Sequence, residues 1–243
     1  MQHFLQIRSY NDDFFRKKIK LLSRVPVYDD SLIKETREKT FYFCSKVFKN
    51  LNEFPFIYYT AGVTEAINFL LMCQQTTSLK NDYRYVFSLP TVNTNSDINT
   101  MYFSYPFAGD GKFKSIPENK KIILDCSYMF ASNLNSVDFI PNNVEYVLFG
   151  ISKSHNLYDL RSGWIFSRKK ILPLHFCQYE FNYNGVIHSL IIDSIVDKDS
   201  NFLYKKYKTK FSKLYKDNNL VENDVNLFGV SSEGKKIPYY ILK

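Results

Sequence analysis

Little in this chain punctuates it. Eight glycines and eight prolines in 243 residues are too few for a collagen-like repeat or a flexible low-complexity tract, and short or few loops are expected. The four cysteines, Cys44, Cys73, Cys126 and Cys177, stand far apart. None of the paired spacings that bind zinc or staple a small secreted fold is present, so they read as reduced, mostly buried thiols. No apolar run approaches the roughly 20 residues that cross a membrane, and the longest, residues 67–73, is already broken by Asn68. The opening residues, MQHFLQIRSYNDD, lack a basic start followed by an apolar stretch and a small-residue cleavage site. A cytoplasmic location is the resulting expectation.

What is present is a chain that can bury a core. Hydrophobic residues make up 45% and charged residues 23%, a balance that excludes intrinsic disorder. The net charge of +8 favours anionic partners but is dispersed, with no nucleic-acid motif to go with it. The length suits one large domain with a small appendage.

Apolar spacing predicts helices over 10–24 and 31–51, then a change of texture from Phe54. Short apolar runs at 56–60, 85–89, 101–105, 121–128 and 145–151 read as buried strands, and 64–73 reads as a helix directly after the first of them. Strand, tight turn and helix make an α/β unit, so the expected fold is a mostly parallel sheet with helices on both faces. Residues 171–197 are mixed. A Lys-rich helix is expected over 201–216, its charged face solvated, and a hairpin around SSEGKK near the end. A cofactor-binding domain over 1–170 and a reduced C-terminal segment over 171–243 follow from this division.

Four local patterns carry chemistry. Tyr59-Thr60-Ala61-Gly62-Val63-Thr64-Glu65-Ala66 ends a strand in a glycine turn and opens a helix. The exposed amides of such a helix start attract phosphate, although a glycine there also serves simply as a turn device. In Ile122-Ile123-Leu124-Asp125-Cys126-Ser127-Tyr128 a carboxylate follows three aliphatic residues at the carboxyl end of a strand, where ligands of open α/β sheets gather, unless it only caps the next turn. Ser152-Lys153 places a lysine just past another strand, and Arg161 follows eight residues later. A desolvated lysine offers a neutral amine to an aldehyde, and a guanidinium fork suits phosphate oxygens.

In this order the residues resemble the fold-type I enzymes that depend on pyridoxal 5′-phosphate, specifically the class I and II aminotransferases, over roughly residues 55–168. Ser152-Lys153 through Arg161-Ser162-Gly163-Trp164 is similar to the signature around that family's cofactor lysine. Asp125-Cys126-Ser127-Tyr128 is similar to its Asp-x-Ala-Tyr, and Gly62-Val63-Thr64 to its phosphate-cupping helix start. The resemblance implies that Lys153 forms the internal aldimine and acts as base and acid. It implies that Asp125 pairs with the pyridine nitrogen, Tyr128 bonds the ring hydroxyl, and Ser152, Arg161, Gly62, Val63 and Thr64 hold the phosphate. It also implies an amine or amino acid substrate and a homodimer.

The chain departs from that pattern in three places. Pro90-Thr91 is followed by Val92 where an aromatic stacks on the ring. The stretch Tyr105-Pro106-Phe107-Ala108-Gly109 lacks the Asn of Asn-Pro-x-Gly, and no Arg follows Arg168 to clamp a substrate carboxylate. Lys205, Lys235 or Lys236 could replace that Arg. His155, two positions from Lys153, could line the pocket. The leading expectation is an aminotransferase, against another pyridoxal-phosphate reaction or a noncatalytic protein of the same fold.

Overall fold

In a computed structural model, residues 14–15, 17–18, 30–133, 139–180 and 185–239 are described. The predicted helix over 10–24 lies largely outside them. The elements run α1 (Asp30–Ser45), β1 (Phe56–Thr60), α2 (Val63–Leu71), β2 (Thr76–Ser78), β3 (Val92–Asn93), β4 (Thr100–Ser104), β5 (Lys121–Asp125), β6 (Val144–Gly150) and β7 (Gly163–Ser167). After them come α3 (Leu172–His175), a π-helical turn (Phe176–Glu180), α4 (Gly185–Ile195), α5 (Phe202–Asp217), β8 (Phe228–Val230) and β9 (Lys236–Pro238).

Seven strands form one sheet in the order β1-β7-β6-β5-β4-β2-β3, and only β7 runs against the rest. The apolar runs are nearly continuous because the sheet is covered on both faces. Ile122, Leu124, Phe149 and Trp164 pack into one cluster with Phe43, Ile191, Ile192 and Phe211 from the helices α1, α4 and α5. Ile123, Tyr102, Leu148 and Ile165 point the other way, against Ala66, Ile67, Leu70 and Leu71 of α2. Side chains alternate along a strand, so one run of residues feeds two cores. The chain ends in the small antiparallel pair β8-β9, closed by a turn in which Ser231 N–H meets Lys235 O at 2.9 Å.

The segment 85–89 is not a strand but part of a 3₁₀ turn, Arg84–Ser88. Tyr85 spends its hydroxyl on Asn68 of α2 at 2.7 Å, and Ser88 Oγ bonds Tyr85 O at 2.7 Å. The sheet position goes instead to the three polar residues of β2, all buried. The mixed stretch 171–197 resolves into α3, the π turn and α4. Cys44 and Cys126 are buried as expected, but Cys73 and Cys177 are exposed. Among the described residues, no helix is long and apolar enough to cross a membrane.

The outer edge of β1 would expose unpaired backbone groups, and side chains of the π turn close it. Gln178 Oε1 accepts the Tyr59 N–H at 2.7 Å while its Nε2 donates to Tyr59 O at 2.7 Å. The Tyr179 hydroxyl accepts the Ile57 N–H at 3.2 Å. Gln178 therefore stands in for a neighbouring strand. Gln178→Ala should cost about 2 kcal/mol by orphaning both groups, a fall of roughly 4–8 °C in melting temperature at this size. An unchanged melt would show that water replaces the amide.

Candidate active site

Thr60 and Gly150 end their strands on either side of Gly163, which begins β7, and the three residues stand in one register row. Ser104 and Asp125 likewise end β4 and β5 side by side. The carboxyl edge of the parallel strands therefore gathers the segments that the sequence had scattered, as open α/β sheets do. Gly163 is required here for contact: a Cβ on it would lie 2.6 Å from Gly62 C and 2.7 Å from Val63 N. Its bareness lets the start of α2 seat directly on the sheet.

A cleft opens at this edge, lined by Gly62, Val63, Thr64, Asp125, Tyr128, Ser152, Lys153 and Arg161. All eight sequence-predicted site residues thus face one space. The cleft is small, with a cavity volume of about 60 Å³.

Lys153 sits in the turn after β6, half-buried. Desolvation is the main cause that lowers its amine to about 8, assisted by the positive charges of Arg161 and Lys236 and opposed by Asp125. Its Nζ lies 4.7 Å from the centre of the Tyr128 ring and 5.5 Å from that of Tyr83. Asp125 is buried and oriented by three donors: the Ser127 N–H at 2.8 Å, the Ser127 hydroxyl and the Tyr102 hydroxyl. Burial pushes the Tyr128 phenol well above its ordinary range, so it remains a proton donor.

At the far side Gly62 caps α2 with φ +83°, a left-handed conformation that glycine takes without strain. Ala61 N–H is met by Glu65 Oε2 at 2.6 Å. Helix geometry leaves the first amides of α2 without intrahelical acceptors, and no acceptor among the described residues meets those of Val63 and Thr64. The guanidinium of Arg161 rests against the same corner, since a Cβ on Gly62 would be 3.2 Å from its Nη2. Arg161 itself holds φ +44°, a left-handed conformation uncommon outside glycine and found at ligand clamps. Orphan amides and a nearby guanidinium together offer donors and positive charge of the kind that suits an anion.

The cleft also takes in Tyr83 and Ser104, which the sequence reading missed. The missing aromatic was sought at Val92, but Val92 lies in β3, and Tyr83 presents its ring to the cleft while its hydroxyl interacts with Thr64. A strand assigned to 85–89 hid it. Ser104 could have been found by the rule that picked out Asp125, because both close apolar strands. His155 does not line the cleft: it is buried against Phe15, Phe43 and Phe130, and burial lowers it to about 3. Of the three candidate lysines, Lys205 pairs with Asp199 at 2.6 Å and Lys235 is exposed. Lys236 alone reaches the cleft wall, donating to Ala108 O at 2.5 Å.

By sequence the chain matches no protein-family model and no curated protein. Its structure matches many solved ones. L-threonine-O-3-phosphate decarboxylase of Porphyromonas gingivalis superposes with a TM-score of 0.61 at 13% identity, over 90% of this chain and 82% of that one. Histidinol-phosphate aminotransferase of Sinorhizobium meliloti, solved with pyridoxal-5′-phosphate, gives 0.61 at 11% identity over 89% and 70%. A pyridoxal-phosphate-bound C–S lyase of Staphylococcus hominis gives 0.67 at 11% over 90% and 70%. The chain has the class I/II aminotransferase fold. The chain spans about 70–82% of the length of these three structures. The same fold is shared by enzymes named for three different reactions, so likeness of fold leaves the chemistry to the residues of the cleft.

Proposed function

We propose that this protein binds pyridoxal 5′-phosphate through Lys153 and transfers an amino group between an amine or amino acid donor and a carbonyl acceptor. The observation that carries this reading is the convergence of a desolvated lysine, a buried, three-fold hydrogen-bonded aspartate and an anion corner on one narrow cleft. These groups come from four separate segments and match the three chemically distinct ends of the cofactor: aldehyde, ring nitrogen and phosphate.

When bound, pyridoxal 5′-phosphate supplies an electron-withdrawing ring that accepts the electron pair left on a substrate's α-carbon. Lys153 Nζ would hold its aldehyde carbon. At pH 7 an amine near 8 is neutral roughly 200-fold more often than an ordinary lysine near 10.4. Freed by an incoming substrate amine, the same Nζ would serve as base and acid at the substrate's α-carbon. Asp125 would keep the ring nitrogen protonated, and the Tyr128 hydroxyl would donate to the ring oxygen. Tyr83 offers an aromatic wall in place of the aromatic sought at Val92. Arg161, Ser152 and the first amides of α2 would bind the phosphate. Lys236, partly buried beside the cleft, is placed to meet an anionic end of the substrate in the absence of a C-terminal arginine.

Reduction of the loaded protein with borohydride and peptide mapping tests this reading. The mass of the cofactor should appear on Lys153, and labelling should rise about tenfold per pH unit below an amine pKa of about 8 and level off above it. Label spread over surface lysines would reject the site. Recovery of the cofactor as its amine after incubation with amino acids supports transfer, whereas recovery only as the aldehyde favours a decarboxylase or lyase.

A further inference from the structure

Behind the cleft wall lies a second buried carboxyl group with no part in the proposed chemistry so far. Asp82 follows β2 and is buried. Its Oδ1 accepts the N–H of Tyr83 at 2.7 Å and the hydroxyl of Ser104, and its Oδ2 accepts the N–H of Ser104 at 3.1 Å. Ser104 Oγ in turn accepts the N–H of Ala108 at 2.6 Å. The carboxyl thus ties together three residues that line the cleft, Tyr83, Ser104 and Ala108. It follows β2, which lies two strands along the sheet from β5, the strand that ends in Asp125.

A serine hydroxyl has one proton and two lone pairs. The proton goes to Asp82 and one lone pair takes the Ala108 N–H, which leaves one lone pair for whatever lies in the cleft. If Asp82 carries a proton, its own O–H can donate to that oxygen and the serine proton is released to turn toward the cleft. We propose that Ser104 is a ligand-contacting residue whose hydrogen-bonding sense is set by Asp82: an acceptor toward the ligand when Asp82 is ionised, a donor when it is protonated. Asp82 is then a positioning residue, acting through Ser104.

The surroundings place this reversal within reach. Burial, the largest cause, raises Asp82 to about 6, with Asp125 adding to it and the bonds from Ser104 and Tyr83 opposing it. The other titratable groups that sense Asp82 are Tyr102 on β4, Tyr128 after β5 and Lys236 on β9. Burial pushes both tyrosines well up and keeps them neutral. Lys236 is lowered by burial, while the charges of Asp82 and Asp110 draw it back up. Asp82 is therefore the group in this set that changes charge in mildly acidic solution. The sign is that of a raised carboxyl: Ser104 is an acceptor above about pH 6 and a donor below it.

This inference rests on the reading that the cleft takes a pyridoxal-phosphate ring, and the test separates the two. Pyridoxine 5′-phosphate, which has no aldehyde and cannot bond to Lys153, is bound to the wild type, Asp82→Asn and Ser104→Ala, and its ring absorption is followed from pH 5 to 8. The wild type should show a step near pH 6 that is absent from both variants. Saturable binding with no such step in the wild type overturns the role of Ser104 and leaves the cleft assignment standing. A step that survives in Ser104→Ala also overturns it. Failure of the probe to bind at any pH overturns the cleft assignment, and this inference with it. Should Asp82→Asn fail to fold, the comparison of wild type with Ser104→Ala decides the matter, and absence of the step from the wild type overturns the role of Ser104 without either variant.

Discussion

Lys153→Ala is expected to remove the borohydride-fixed adduct and to lower turnover by at least about 10³-fold, since on the proposed reading one side chain would both hold the cofactor and move the proton. The variant should fold. Lysine 153 lies in a turn after β6, and its amine is held there against the cost of desolvation, so replacing it relieves a buried charge at low pH and opens little space. The phosphate corner of Arg161 and α2 is untouched, and the variant should still bind pyridoxal phosphate reversibly, with the absorption of the free aldehyde. Added methylamine should restore part of the lost colour by supplying the missing nitrogen. Equal labelling of wild type and variant would mean that another lysine carries the adduct. Lys236 is then the first to replace, because its Nζ reaches the cleft wall at Ala108 O.

Asp125→Asn separates binding from chemistry. The amide retains an oxygen for the Tyr102 or Ser127 hydroxyls but carries no charge to hold a proton on the ring nitrogen. The variant should keep the covalent adduct on Lys153 and lose about 10²–10³-fold in kcat, the usual effect of removing one preorganised electrostatic partner. A cofactor analogue that carries a permanent positive charge on the ring nitrogen should recover much of that loss, which a merely structural aspartate would not allow. Full activity in Asp125→Asn would end the electron-sink role for this residue.

The parts of the site that could be read from the sequence were those with local signatures. Gly62-Val63-Thr64, Asp125, Lys153 and Arg161 each follow or begin an apolar run, and the physics of each is contained in a few neighbouring residues. Tyr83 was harder because β2, which positions it, is three polar residues long. Its neighbours Tyr85 and Val86 look like strand, yet Tyr85 bonds α2. Three hydroxyl-bearing residues take the sheet position because β3 and β4 flank them and meet their backbone groups, a circumstance invisible in a local window.

Asp82 and Lys236 show the same limit at longer range. Each is an ordinary charged residue in its own segment, one in a loop and one in a terminal hairpin. Asp82 comes to brace the cleft wall from behind because β4 delivers Ser104 to it, 22 residues away in sequence. Lys236 reaches the carbonyl of Ala108 across 128 residues, and His155, which adjoins Lys153 in sequence, turns away into the aromatic core.

Apolar periodicity and strand-terminal chemistry by themselves determined that this protein is an α/β sheet bearing Lys153, Asp125 and the Gly62 turn along one edge, because those properties are encoded within a turn or a strand. Only the tertiary structure decided which aromatic, which hydroxyl and which second carboxyl close around them. Those contacts join segments whose separation is set by sheet order, and sheet order depends on which surfaces the whole chain can bury.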